Sequence, residues 1–421
     1  MRRSIPVVAA ALGLALTMSA CSSDSSSDSD ATTAPTTADT ASASATTPTD
    51  GGTLTIWVDE TRKKAVQDAA SAFEKETGAK VTLVQKNFED IKADFIAQVP
   101  TGKGPDITVG AHDWLGELTK NGVVAPIELG DKTSEFEPVS IQAFTQDGQV
   151  YGLPYAIENV ALIRNTKLAK EAPKTWEDAI KAGKAAKTKF PFLIQTSDQG
   201  DPYTYYPLQT SFGAPVFEQN ADGSYNPKLA MGGDEGIAFA KWLAKEGEKG
   251  EKNLDTAITY DNATAAFAKG ESPFIVGGPW MLDTFKGMDL SIDPVPSAGG
   301  KPAQPFVGVQ GFYISAQSQN ALLANDFLTN YMSTDEAQTA LYEAGNRPPA
   351  LISAAEKASS DPITAGFAAV GKDAVPMPSI PQMGSVWQFW GVTEAQIISG
   401  KVDATKGWNK MIDDINKAIG S

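Results

Sequence analysis

The sequence predicts an α/β protein built as two bodies in one chain. The chain has 421 residues, 42% of them apolar and 9% aromatic, enough to bury a large core and to form two domains. Residues 54–110 alternate strand, helix, strand, and the same character returns between residues 160 and 276. In the first stretch, 54–58 (Leu-Thr-Ile-Trp-Val) reads as a buried strand with Trp57 in the core. Residues 64–77 read as an amphipathic helix, with Ala65, Ala69, Ala72 and Phe73 at helical spacing and Gly78 at the C-terminal cap. Strand 81–84, helix 91–99 stopped near Pro100, and strand 106–110 follow. This order predicts a mainly parallel sheet with helices on both faces.

In the second stretch, 160–163 is strand-like and Thr175 is placed to cap a helix. Residues 235–245 read as helix, and 274–276 as a strand running into Gly277-Gly278-Pro279-Trp280. The C-terminal part is mostly helical, at 324–332, 335–343, 385–399 and 404–419. Two α/β bodies in one chain imply ligand binding in a cleft between them.

Composition narrows the function. A net charge of −16 repels phosphate backbones, which argues against a nucleic-acid partner. One cysteine and one histidine allow neither an internal disulfide nor a Cys/His metal cluster, and no cofactor is expected. A Ser-His-Asp site would have to use His112, and there is no G-x-S-x-G elbow. This scarcity of catalytic residue types favours binding over catalysis, with His112 a structural loop histidine.

The first fifty residues read as an address and a tether. Arg2 and Arg3 precede an uncharged apolar run, 5–18, too short to span a bilayer but suited to a signal peptide ending at residue 20. Met18-Ser19-Ala20-Cys21 resembles a bacterial lipobox, which implies a lipidated Cys21. Residues 22–50 are mostly Ser, Thr, Ala and Asp and cannot offset the entropy of ordering. A flexible chain of that length spans roughly 30 Å. The expected location is therefore extracytoplasmic, anchored to the outer face of the cell membrane.

Several segments together resemble the maltose-binding proteins of bacterial ABC importers. They are Leu54-Thr55-Ile56-Trp57, Gly104-Pro105-Asp106-Ile107, Ala111-His112-Asp113, Pro173-Lys174-Thr175-Trp176-Glu177, Ala266-Phe267-Ala268-Lys269-Gly270-Glu271, Gly278-Pro279-Trp280, Pro305-Phe306-Val307-Gly308-Val309 and the run 377–383, Met-Pro-Ser-Ile-Pro-Gln-Met. The resemblance covers nearly all of 53–419. It implies a type II periplasmic-binding-protein-like fold, each lobe a mixed sheet flanked by helices. Lobe 1 would hold 52–157 and 312–357, and lobe 2 would hold 161–308 and 363–421. A hinge joins the lobes, and closure follows ligand capture.

A sugar needs acids and amides for its hydroxyls and flat rings for its C–H faces. The positions that match the family's site supply both. They are Arg62, Asp113, Glu158, Asp201, Tyr203, Trp280, Met377 and Trp387. Taken singly, a loop carboxylate reads as a solvated surface group and Trp280 as a packing residue; the joint match points to a site. There are departures. The family's stacking Trp is Gly110 here, its Arg after the strand-end Asp is Trp114, and further Tyr and Arg positions are Gln388 and Gly391. Trp114 is expected to replace the lost ring, with Phe389 and Trp390 as further substitutes. The implied ligand is maltose or maltodextrin, with trehalose or another α-glucoside as an alternative sugar. The implied partners are ABC permease subunits, and a monomer suits such a shuttle. The competing reading is a secreted glycoside hydrolase with Asp113 and Glu158 as its carboxylate pair.

Overall fold

The computed structural model describes residues 51–220 and 224–420. The expected signal peptide, Cys21 and the expected tether lie outside the described residues.

The first sheet orders its strands Val375–Pro376, Phe306–Ser315, Ile107–Ala111, Thr53–Val58 and Lys80–Gln85. The last three are parallel, with Ile56 facing both Leu83 and Ile107. The long strand Phe306–Ser315 runs antiparallel to Ile107–Ala111 and also pairs antiparallel with Gly152–Glu158. The sheet is thus mixed, where the local alternation predicted a mainly parallel one. Alternation reports only neighbours in sequence, and Phe306–Ser315 arrives from about two hundred residues away. The second sheet packs Ala161–Asn165 between Phe274–Gly277 and Leu290–Asp293, antiparallel on both sides, with a parallel bridge from Leu193 to Ile275.

Local signals set the helix ends. Asp59 caps Glu60–Thr77 through the N–H groups of Thr61 and Arg62, and left-handed Gly78 closes it. Thr175 Oγ1 accepts from the Asp178 N–H, as its position suggested. The helix expected at 324–332 is Ala321–Phe327 followed by a wider turn, Leu328–Met332.

The apolar interior forms around both sheets. One cluster joins Leu54, Ile56, Trp57, Phe73 and Phe95 to Phe312 and Ile314. Trp57 is core, its ring also covered by the Lys86 ammonium at 4.1 Å. Around the second sheet, Leu162 and Val276 face one cluster while Ala161, Ile163 and Ile275 face another. Burial on both faces explains why 160–163 is an unbroken apolar run.

One buried group stands apart. Glu394 is fully buried, and neither carboxyl oxygen has a hydrogen-bond partner. Burial first and the Asp201 charge second push its pKa well above the carboxylate range; the neighbouring Trp390 indole offsets this little and donates instead to Gln209 Oε1 at 3.1 Å. The folded state therefore keeps a proton that the unfolded chain releases near pH ~4.3. Above that pH the unfolded state binds fewer protons, so this residue lowers stability as pH rises towards its folded pKa. Glu394→Gln removes the slope. Its melting temperature is expected to gain on wild type as pH rises above about 5, and melting temperatures that stay parallel there would contradict the assignment.

Candidate functional site

A cavity of about 640 Å³ lies between the two sheets, within the usual size of small-molecule sites. All nine predicted site residues line it: Arg62, Asp113, Trp114, Glu158, Asp201, Tyr203, Trp280, Met377 and Trp387. Arg62 sits in the first turn of Glu60–Thr77, and Asp113 and Trp114 in the tight turn that ends Ile107–Ala111. Glu158 ends a sheet strand. Opposite them, Asp201 and Tyr203 open the helix Pro202–Phe212, Trp280 follows Phe274–Gly277, and Trp387 stands on Met383–Ile398.

A ladder of charges forms part of the lining. Arg62 pairs with Asp59 and with the Tyr155 hydroxyl, and its Nη2 donates to Gln310 Oε1 at 3.2 Å. Gln310 Nε2 then donates to Glu158 Oε1 at 2.8 Å, and Arg347 Nε donates to Glu158 Oε2 at 2.6 Å. The Arg347 guanidinium lies 5.5 Å from the centre of the Trp280 ring. Burial is the largest influence on both arginines and lowers their pKa; for Arg347 the charge and hydrogen bond of Glu158, together with Tyr155 and Tyr203, outweigh it and the net shift is upward, while for Arg62 burial wins.

The other acids lack a cation at hydrogen-bond range. Burial, the first cause in each case, raises the pKa of Asp113 and Asp201. Asp113 Oδ2 accepts from the Trp387 indole at 3.2 Å, across the cavity. Asp201 is also a helix cap, accepting from the Thr204 N–H and hydroxyl and from Gln195. Partial burial and then the charge of Asp201 raise Glu89 on the facing wall. The Tyr203 hydroxyl and Gln195 Oε1 have no protein partner. Both atoms are closed off from solvent, and such unpartnered buried polar groups are rare.

The rings are held from behind. Trp387 stacks on Trp390 with centroids 5.4 Å apart and planes 23° apart. Trp390 is fully buried, so it buttresses the cavity ring and is not the substitute platform expected of it; Phe389 does not line the cavity either. Tyr203 lies 6.2 Å from Trp280 and from Phe306, which stacks on Tyr206 at 3.6 Å. Gly391 packs against Gln199: a Cβ there would come within 2.5 Å of that carbonyl oxygen, so no arginine fits.

His112 is structural. Its Nδ1 accepts from the Val309 N–H and its Nε2 meets the Met377 carbonyl, both at 3.0 Å. That geometry puts the proton on Nε2, and burial lowers the pKa, so the ring is neutral.

Sequence reasoning missed Gln310, Arg347, Phe88, Glu89, Gln195 and Tyr260, which line the cavity too. A signal for Arg347 existed. The chain has five arginines among 35 basic residues, and the three described ones, Arg62, Arg164 and Arg347, all form largely buried ion pairs.

This lining suits ground-state binding. Rings cover apolar faces, and acids and amides receive hydroxyls. It suits the carboxylate-pair hydrolase poorly, because both oxygens of Glu158 are already engaged by Gln310 and Arg347. Removing one partner of that pair strands the other. Arg347→Met is expected to lower unfolding free energy by about 3 kcal/mol, the low end for a buried pair because the cavity admits water. Adding Glu158→Gln is expected to restore most of the loss in urea titrations, and an equally unstable double variant would refute the pairing.

Comparison with known proteins places this geometry in a family. Residues 68–369 match the family model described as bacterial extracellular solute-binding protein. The maltodextrin-binding protein MdxE of Bacillus subtilis (strain 168) is 30% identical over 384 residues, covering 87% of this chain and 90% of that protein. A galactooligosaccharide-binding protein of the same organism is 29% identical, covering 86% of this chain and 88% of that one. The structure of a Thermus thermophilus maltotriose binding protein bound with maltotriose matches with a TM-score of 0.78 and 34% identity, covering 87% of this chain and all of the other. This agrees with the resemblance read from the motifs and with a two-lobe periplasmic-binding fold, and it marks the chain as a binder, not an enzyme. The chain belongs to the bacterial extracellular solute-binding proteins.

Proposed function

We propose that this protein captures maltose and maltodextrins outside the cell and passes them unaltered to the permease subunits of an ABC importer. The observation that supports this most directly is the lining of one cavity: Trp114, Tyr203, Trp280 and Trp387 beside Asp113, Glu158 and Asp201. Rings and acids drawn from facing walls are what a pyranose, with its two kinds of surface, requires. The relatives named for maltodextrin and the maltotriose-bound structure favour α-linked glucose chains. The relative named for galactooligosaccharide makes β-galactosides the comparison of most value, with trehalose as a further α-glucoside.

In this reading residues 52–157 with 312–357 form one lobe, and 161–308 with 363–421 the other. Ligand favours the closed arrangement, and no bond is broken. A lipidated Cys21 tethers a monomer to the outer face of the membrane. Among the described residues no helix is long and apolar enough to cross a bilayer.

Calorimetry against maltose, maltotriose, trehalose and a galactooligosaccharide tests the ligand. Failure of every α-glucoside to bind below about 1 mM, or −4 kcal/mol, would end the maltodextrin assignment. Trp280→Ala and Trp387→Ala are each expected to weaken binding by about 1–3 kcal/mol. Unchanged affinity in both would move the site elsewhere. Cys21→Ser is expected to shift the protein from the membrane to the soluble fraction, and continued sedimentation with membranes would refute the anchor.

A further inference from the structure

We infer that Gly110 is a positioning residue of the cleft: its missing side chain makes the slot in which the Trp114 ring stands, and so it sets one wall of the site. Only the ligand-binding arm of this inference rests on the sugar-binding reading above.

Gly110 is the penultimate residue of Ile107–Ala111, buried in the first sheet opposite Gly311. A Cβ at position 110 would lie 2.7 Å from both Cε3 and Cζ3 of Trp114 and 3.0 Å from Cε2 of Tyr313. Carbon atoms do not approach that closely, so any side chain at 110 forces a ring to move. Tyr313 cannot yield. It is fully buried, its hydroxyl donates to the Ala111 carbonyl at 2.8 Å, and its ring packs on Phe144 at 5.2 Å. Trp114 borders the cavity and is the ring free to give way.

The displacement does not stop at Trp114. Its ring packs on Phe88 at 5.1 Å, and Phe88 lies under the Arg62 guanidinium at 4.7 Å. Gly110, Trp114, Phe88 and Arg62 therefore form a continuous stack from the sheet to the top of the charge ladder. Phe88 and Arg62 line the same cavity. The width of the cleft on this side follows from the absence of one methyl group, and the ligand chemistry it selects is a pyranose C–H face lying on the Trp114–Phe88 wall.

The test is a mutant cycle of Gly110→Ala, Trp114→Ala and the double variant, read in two ways. Without ligand, near-ultraviolet circular dichroism of each variant is compared with wild type. Gly110→Ala is expected to change the indole bands, and to change nothing further once Trp114 is gone. With ligand, calorimetry with maltotriose is expected to show about tenfold weaker binding for Gly110→Ala alone, and no more than about twofold when it is added to Trp114→Ala. If Gly110→Ala does not fold, recovery of the fold in the double variant supports the inference, and failure of both overturns it. Equal effects of Gly110→Ala with and without Trp114, or an unaltered spectrum, also overturn it. A wild-type protein that binds no sugar while the spectroscopic coupling holds removes the ligand assignment and leaves the positioning role in place.

Discussion

The ion pair between Glu158 and Arg347 organises this molecule. It lies beside the paired strands Gly152–Glu158 and Phe306–Ser315, and it links Arg62 through Gln310 on one side to Trp280 on the other. Taking two charges out of water is costly, and such pairs add little net stability. What they add here is geometry. A guanidinium fork has fixed directions, so Arg347 orients a carboxylate with its Nε edge while its face covers an indole. A lysine would meet the charge but not both partners.

Around that ladder the cavity rings are backed by a further layer of rings in the core. Trp390, tied to Gln209, supports Trp387; Phe306 and Tyr206 support Tyr203. Side chains locked by packing keep a site in register with its ligand. That packing fixes the rings within each wall.

Much of this was legible in the sequence because it is written locally. The strand 54–58, the cap at Thr175 and the helix at 404–419 follow from neighbours a few residues apart. The nine cavity residues were legible through resemblance, since a loop Asp or Trp alone has no distinguishing mark. What stayed hidden depends on distant pairing. Arg347 gains its meaning from Glu158, 189 residues away. The antiparallel strand Phe306–Ser315 gains its direction from Ile107–Ala111. Trp390 was misjudged because it stands three residues beyond Trp387 on the same helix face, where it stacks behind that ring and is itself wholly buried.

The Trp387 indole resting on Asp113 has a consequence of its own. A ligand hydroxyl that takes the lone pair engaged by the indole displaces a donor the protein already supplies. Swapping one hydrogen bond for another yields little net free energy. In the proposed reading the protein is its own mild competitor, and capture is restrained at a contact where an irreversible grip would defeat delivery.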